Sequence, residues 1–339
     1  MGDKKTERVT FVDVREAYER IKSVVSKTPV FQDEDFNEKY GRNFYFKAEN
    51  MQKTGAFKIR GALNAVLKLR EKEKDIKGLV THSSGNHGRA MAWIARRFHL
   101  PCVVVCPTTV PEAKLQDIRD LGTEIVPCEP TPADRLRKVG QVQEERGYKY
   151  ISTCDDNDVI AGQGTIGLEL LDQVPDLDAI LVPVSGGGMA AGICIAAKSI
   201  KQDTKIFIVE PEGKDLEKCL KAGERLWPNP PKCLDTVADG MRMQQLGFKT
   251  WPIVLEHAEK QVFTVADKEA IEGMKYAFQS MKNKSLIRWG FQADKENGPL
   301  LTTERRTRLF SPKRSPVNTS TPWKAFYNKK TDSIKNIAM

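Results

Sequence analysis

The chain has 339 residues, 29% charged and 40% apolar, which excludes collagen-like, mucin-like and wholly disordered classes and leaves room for two domains. Its net charge of +9 is unevenly placed: residues 288–339 carry 11 Lys and Arg against 4 Asp and Glu, so the remainder is close to neutral. Seven cysteines form no C-x-x-C pair and, with four histidines, no zinc-finger spacing, so reduced thiols are expected rather than a disulfide framework.

The first eight residues are charged and lead into no apolar signal region, so a cytoplasmic protein is expected. From residue 42 to 281 short β-rich runs alternate with helix-patterned segments, the signature of βαβ units, and the fold class is read as α/β with mostly parallel strands. The predicted strands are Phe44–Lys47, Gly78–Thr81, Cys102–Val105, Glu124–Val126, Ala179–Val182 and Lys205–Val209. Three of them fall between Leu79 and Ile151, enough for a small domain (78–151) inserted in a larger one (1–77 and 152–287). The 19 residues Ala179–Ala197 carry no charge and approach a membrane-spanning length. Pro183, Ser185, Gly186, Gly187, Gly188 and Gly192 instead mark a strand, a turn and a buried helix, and no membrane span is expected. After Ile287 the pattern changes: four prolines, many Ser and Thr and the run Arg305-Arg306-Thr307-Arg308 read as a basic, disordered tail over 288–339. No nucleic-acid motif interrupts it, so a solvated tail is preferred to nonspecific binding of nucleic acid or acidic membrane.

Four segments stand out chemically: Lys53–Ala62, Ser83-Ser84-Gly85-Asn86-His87-Gly88, Ala161-Gly162-Gln163-Gly164-Thr165 and Val184-Ser185-Gly186-Gly187-Gly188-Met189. The last lies between a strand and a helix, where backbone N–H groups at a positive helix end suit a phosphate, or where glycine serves only a tight turn. It is neither a Walker A loop nor G-x-G-x-x-G. Lys58, between Phe57 and Ile59, is either a solvated lysine or one whose partly apolar setting lowers its pKa for Schiff-base chemistry. Ser84 is either a helix N-cap or a catalytic hydroxyl.

In this order, with Glu210-Pro211 and Ala238-Asp239-Gly240 behind them, the four segments resemble the serine racemase and serine/threonine dehydratase family of pyridoxal-phosphate enzymes, from about Phe11 to Ile287. The resemblance implies the tryptophan-synthase-β-like fold, known as fold type II, with the cofactor between two parallel-sheet domains. It implies that Lys58 holds pyridoxal phosphate as a Schiff base, that Phe57 and Gly240 flank the ring, that Asn86 bonds its 3′-oxygen, and that Ser185, Gly186, Gly187, Gly188 and Met189 cradle the phosphate. Lys58 would remove the α-proton, and Ser84, where dehydratases often carry alanine, would serve the opposite face. Serine racemisation with serine and threonine dehydration follows from these roles, with predominant dehydration or a non-catalytic regulator as alternatives. The family also implies a homodimer, ATP as activator, and a divalent cation (Mg²⁺ or Ca²⁺) on Glu210, the Lys214 carbonyl and Asp215, with Leu216 standing where a carboxylate is common.

The resemblance stops after Lys284-Ser285-Leu286-Ile287. The family's last sheet strand and its Ser-Gly-Gly-Asn loop, whose serine bonds the pyridine nitrogen, are expected to be missing. A changed exon or reading frame would account for the break; a lineage-specific tail that replaces the strand is the alternative.

Overall fold

Local chemistry sets several helix boundaries. Thr10 caps the first helix in a reciprocal box with Asp13, Asp33 and Thr131 cap two others, and Gly41 and Gly147 close their C-termini in the left-handed conformation. The computed structural model describes residues 8–279 and 334–339. The first half holds α1 (Phe11–Ile21), β1 (Val30–Phe31), α2 (Glu34–Tyr40), β2 (Asn43–Lys47), α3 (Lys58–Lys72), β3 (Leu79–Thr81), α4 (Asn86–Arg97), β4 (Cys102–Pro107), α5 (Glu112–Arg119), β5 (Glu124–Cys128), α6 (Pro132–Arg146) and β6 (Lys149–Tyr150). The second holds α7 (Asn157–Gln173), β7 (Ala179–Pro183), α8 (Gly188–Ile200), β8 (Lys205–Pro211), α9 (Leu216–Ala222), α10 (Thr250–His257), β9 (Val262–Val265), α11 (Asp267–Gln279) and β10 (Asn336–Ala338).

Two sheets result. The larger runs β1-β2-β10-β7-β8-β9, parallel except for the β1–β2 pair, and the smaller runs β5-β4-β3-β6, all parallel. All six strands expected from the sequence form. The uncharged run at 179–197 becomes β7, a turn and α8, and among the described residues no helix is long and apolar enough to cross a membrane. All seven cysteines are unpaired.

The expectation of a structureless tail is corrected at its end. Residues 336–338 form β10 between β2 and β7, with Ile337 opposite both Phe44 and Ala179. The sequence pattern did not show this because three residues carry no periodicity; the register comes from partners. The Asp178 carboxylate accepts the Lys335 and Asn336 amides at 2.7 and 2.8 Å, and Asn43 and Lys47 donate to the carbonyls of Lys335 and Met339. A sheet strand is therefore present where one was expected to be lost. The rest of the tail, the stretch where the nitrogen-binding loop was expected to be lacking, and Ile287 itself lie outside the described residues. Ile337 is 0% exposed. Ile337→Ala is expected to lower unfolding stability by about 2–4 kcal/mol through lost burial and a cavity, read as a shifted urea midpoint. An unchanged midpoint would remove β10 from the sheet.

Helices α3, α7 and α8 approach closely through glycine. A Cβ on Gly192 would lie 2.4 Å from the Gly164 nitrogen, and one on Gly162 would lie 2.6 Å from the Arg60 carbonyl oxygen. The Ala161–Thr165 segment thus serves helix packing in the middle of α7. Arg60 of α3, fully buried, forks onto two carboxylates, Glu49 at 2.8 Å and Glu169 at 2.7 Å, and Lys47 reaches Glu169 at 2.8 Å. This network holds the start of α3, and with it Lys58, against α7.

Candidate active site

Lys58 is the first residue of α3, whose N-terminus has no side-chain cap. Its side chain is half-buried, and its Nζ donates to the Thr153 carbonyl at 2.7 Å, 5.2 Å from the Phe57 ring centroid. Burial holds the amine below the usual lysine range, with Cys154 opposing weakly. A freely solvated lysine is thereby excluded. Thr153 follows β6 of the small sheet, so this amine bridges the two sheets' loops.

Ser84 and Asn86 lie half-buried at the β3–α4 turn. The cap position of α4 is Gly85, with no side-chain hydrogen bond, so Ser84 is not spent as an N-cap. The next residue, His87, is buried, and neither ring nitrogen has a hydrogen-bond partner. Burial pushes it down to about 3, with Lys58 and His82 adding to the effect, so it is neutral at ordinary pH. His82 is pushed down to about 4 by burial, then by Arg135, with a smaller contribution from Lys58. Lys58, His82, His87 and Arg135 therefore share one electrostatic neighbourhood. The Arg135 Nε is buried without a partner. Sequence reasoning missed His87 and Arg135: the first adjoined Asn86, but the second, inside α6, carried no local signal.

The Ser185–Gly188 turn sits against the loop after β6. A Cβ on Gly186 would come within 2.3 Å of the Cys154 sulfur, and one on Gly188 within 2.8 Å of the Cys154 carbonyl. Gly187 has φ +91°, open to glycine and strained for other residues, and caps α8 without a side-chain hydrogen bond. The first α8 amides thus keep their N–H groups for an anion at the positive helix end. Ser185 turns its Oγ to the Met243 amide at 3.4 Å, and Met189 packs into the large core. Gly240, in the 3-10 turn Asp239–Met241, is exposed, with nothing within 4 Å of an added Cβ. Its neighbour Asp239 pairs with Lys114 of α5 at 3.1 Å.

The cation ligands implied by the resemblance do not fit. Glu210 is 2% exposed, and burial pushes its carboxyl up to about 7, against hydrogen bonds from the Leu216 amide and Thr264. The Lys214 carbonyl already accepts the Trp227 indole N–H at 2.6 Å. Asp215 pairs with Lys218 at 2.7 Å, and Leu216 offers no side-chain oxygen. Among the described residues no group of three or more His, Cys, Asp or Glu is placed to hold a metal. In the set Glu210, Lys214 and Asp215 each group thus has another partner, and the Lys214 side chain donates to three main-chain carbonyls.

Two mostly parallel sheets, with an amine of lowered basicity between their loops and the uncapped N-terminus of α8, have the parts that a phosphate-bearing carbonyl cofactor needs. The chain belongs to the pyridoxal-phosphate dependent enzyme family, whose model matches residues 21–283, and it has that family's α/β fold. Serine racemase of Dictyostelium discoideum is 42% identical over 275 residues, 81% of this chain and 84% of the relative. A solved serine racemase from that organism superposes with TM-score 0.79 over 97% of this chain and 96% of its own, at 35% identity. A solved pyridoxal 5′-phosphate-dependent aspartate racemase is 55% identical, covering 81% of this chain and 84% of its own, with TM-score 0.78. L-threo-3-hydroxyaspartate ammonia-lyase of Saccharomyces cerevisiae is 41% identical, covering 80% of this chain and 82% of the relative.

Proposed function

We propose that the chain racemises serine with pyridoxal phosphate and also dehydrates serine and threonine. The observation that carries this reading is the Lys58 amine, held below ordinary lysine basicity by burial beside the glycine turn. Lys58 holds the cofactor and takes the α-proton on one face; the Ser185–Met189 segment receives the phosphate, Asn86 the 3′-oxygen, and Phe57 and Gly240 flank the ring. When bound, the cofactor supplies the electron sink that makes the α-proton removable. Ser84 returns a proton on the opposite face. Where the Cβ–oxygen bond breaks instead, the hydroxyl leaves as water, and hydrolysis gives pyruvate or 2-oxobutyrate with ammonia. Arg135, its Nε buried and unpartnered, supplies a cation for the substrate carboxylate. Neutral His87 adds no competing charge near the amine.

The reading extends to a cofactor cleft between residues 1–77 with 152–287 and residues 78–151, a cytoplasmic homodimer and ATP activation, all supported by the resemblance alone. Strand β10 supports a competent enzyme over a non-catalytic regulator, because it joins β2 to β7 and so completes the large sheet. A second reading, aspartate racemisation, is favoured by the 55% identity to the aspartate racemase.

The test is borohydride reduction of the purified chain with pyridoxal phosphate and mass mapping, followed by L-serine and L-aspartate assays with chiral chromatography. An adduct on Lys58 with D-serine and pyruvate is expected; D-aspartate alone would establish the second reading. A folded chain left unmodified would overturn both. Ser84→Ala is expected to lose about 10²–10⁴ in racemisation while elimination persists. Equal loss of both activities in a folded variant would remove Ser84 from its proposed role.

A further inference from the structure

Lys214 is 0% exposed, and no carboxylate lies within ion-pair distance of it among the described residues. Its Nζ instead donates to three main-chain carbonyls: Ser185 at 2.8 Å, Gln244 at 3.0 Å, and Met243. An ammonium has three donors and no acceptor, so each finds one oxygen. Burial lowers the amine to about 8, and Glu210, buried nearby, opposes that shift. Converging carbonyls with a carboxylate nearby form the oxygen surroundings that hard metal ions take. Two of these carbonyls belong to the loop after the Asp239–Met241 turn, and the third to the glycine turn before α8.

We propose that Lys214 is a built-in cation: its ammonium occupies the place of a divalent metal and ties the Ser185 turn to the Met243–Gln244 loop, making the protein independent of added metal. The link to the cofactor phosphate rests on the pyridoxal-phosphate reading above, whereas the metal independence does not. The oxygens implied as metal ligands have partners of their own. The Lys214 carbonyl is taken by Trp227, Glu210 accepts Leu216 and Thr264, and Asp215 is drawn outward to Lys218. The positioning effect runs through the backbone: Lys214 holds the Ser185 carbonyl, at the start of the turn that leads into α8.

The full chain is compared with Lys214→Ala and Lys214→Met variants, each stripped with chelator. Manganese binding is followed by electron paramagnetic resonance, melting is followed with and without Mg²⁺, Ca²⁺ or methylammonium, and cofactor affinity is followed by fluorescence. The unsubstituted protein is expected to bind no Mn²⁺ and to melt unchanged on chelation. Lys214→Ala, which empties the oxygen cage, is expected to bind cofactor on the order of tenfold more weakly and to regain affinity and melting temperature with an added cation. Lys214→Met, which fills the space without charge, is expected to be weakened and not rescued. Stoichiometric Mn²⁺ in the unsubstituted chain, or its destabilisation by chelator, overturns the proposal even if the alanine variant does not fold. So does a folded alanine variant that no cation restores, or a methionine variant indistinguishable from the original. Metal binding and melting are read whether or not serine turns over, so failure of the racemase reading leaves them intact.

Discussion

Lys58→Ala is expected to lower both racemisation and elimination by about 10³-fold or more, because in the proposed mechanism one amine holds the cofactor and moves the α-proton. The variant should fold normally: Lys58 is half-buried at the start of α3, and its hydrogen bond to the Thr153 carbonyl is the contact given up. Chiral chromatography reads the rate, and the cofactor's visible band should no longer be fixed by borohydride. A folded variant with a tenth or more of the original rate would sink the assignment. The pH dependence has a definite sign. Burial lowers the folded-state pKa, so in the cofactor-free chain the unfolded state binds the extra proton between that value and the ordinary lysine value of about 10.4. This lysine's contribution to stability therefore rises with pH through that window, and Lys58→Met should flatten the rise in a denaturation series at increasing pH.

The second large effect is structural. Arg60→Met is expected to destabilise the chain by about 3–5 kcal/mol, because two carboxylates, Glu49 and Glu169, lose the guanidinium that forks between them. Lys47 would still hold Glu169 at 2.8 Å, leaving Glu49 with its Thr28 bond as the poorer survivor. Replacing Arg60, Glu49 and Glu169 together by apolar residues of similar volume should recover much of the loss, since no charge is then stranded. Urea midpoints of the single and triple variants decide this, and equal stability of Arg60→Met and the original would show the network to be energetically idle. Burial alone raises the Glu169 pKa, but Arg60, then Lys47, outweigh it, and the net value is lowered. Its stabilisation is thus present above the ordinary carboxylate range and lost as pH falls through the lowered value, a loss that should weaken in Arg60→Met.

These two lysine and arginine positions show how unevenly the molecule can be read from its residues. Lys58 is legible because a nucleophilic lysine, a glycine turn and the Ser84–Asn86 loop come in one ordered set. Arg60, two residues on, reads as an ordinary helix charge; its partners lie 11 and 109 residues away, beyond local pattern. Arg135 and His87, proposed for the same site, are alike in this. Lys214 is the sharpest: the matched position pointed to a backbone carbonyl as ligand, whereas the side chain turned inward to three carbonyls that only folding assembles. Leu216 and Asp215 already showed that the carboxylate pattern was broken, without showing what replaced it.

The α/β class, six strands and the strand, turn and helix of the run 179–197 are legible in the residues, because alternation and glycine placement are encoded over neighbouring positions. Contacts distant in sequence set the rest. Residues 336–338 became a central strand because Asn43, Lys47 and Asp178 complete their hydrogen bonds and because Phe44 and Ala179 cover Ile337. Lys214 turned inward because its ammonium, with three donors, meets the carbonyls of Ser185, Met243 and Gln244, which come together from distant loops.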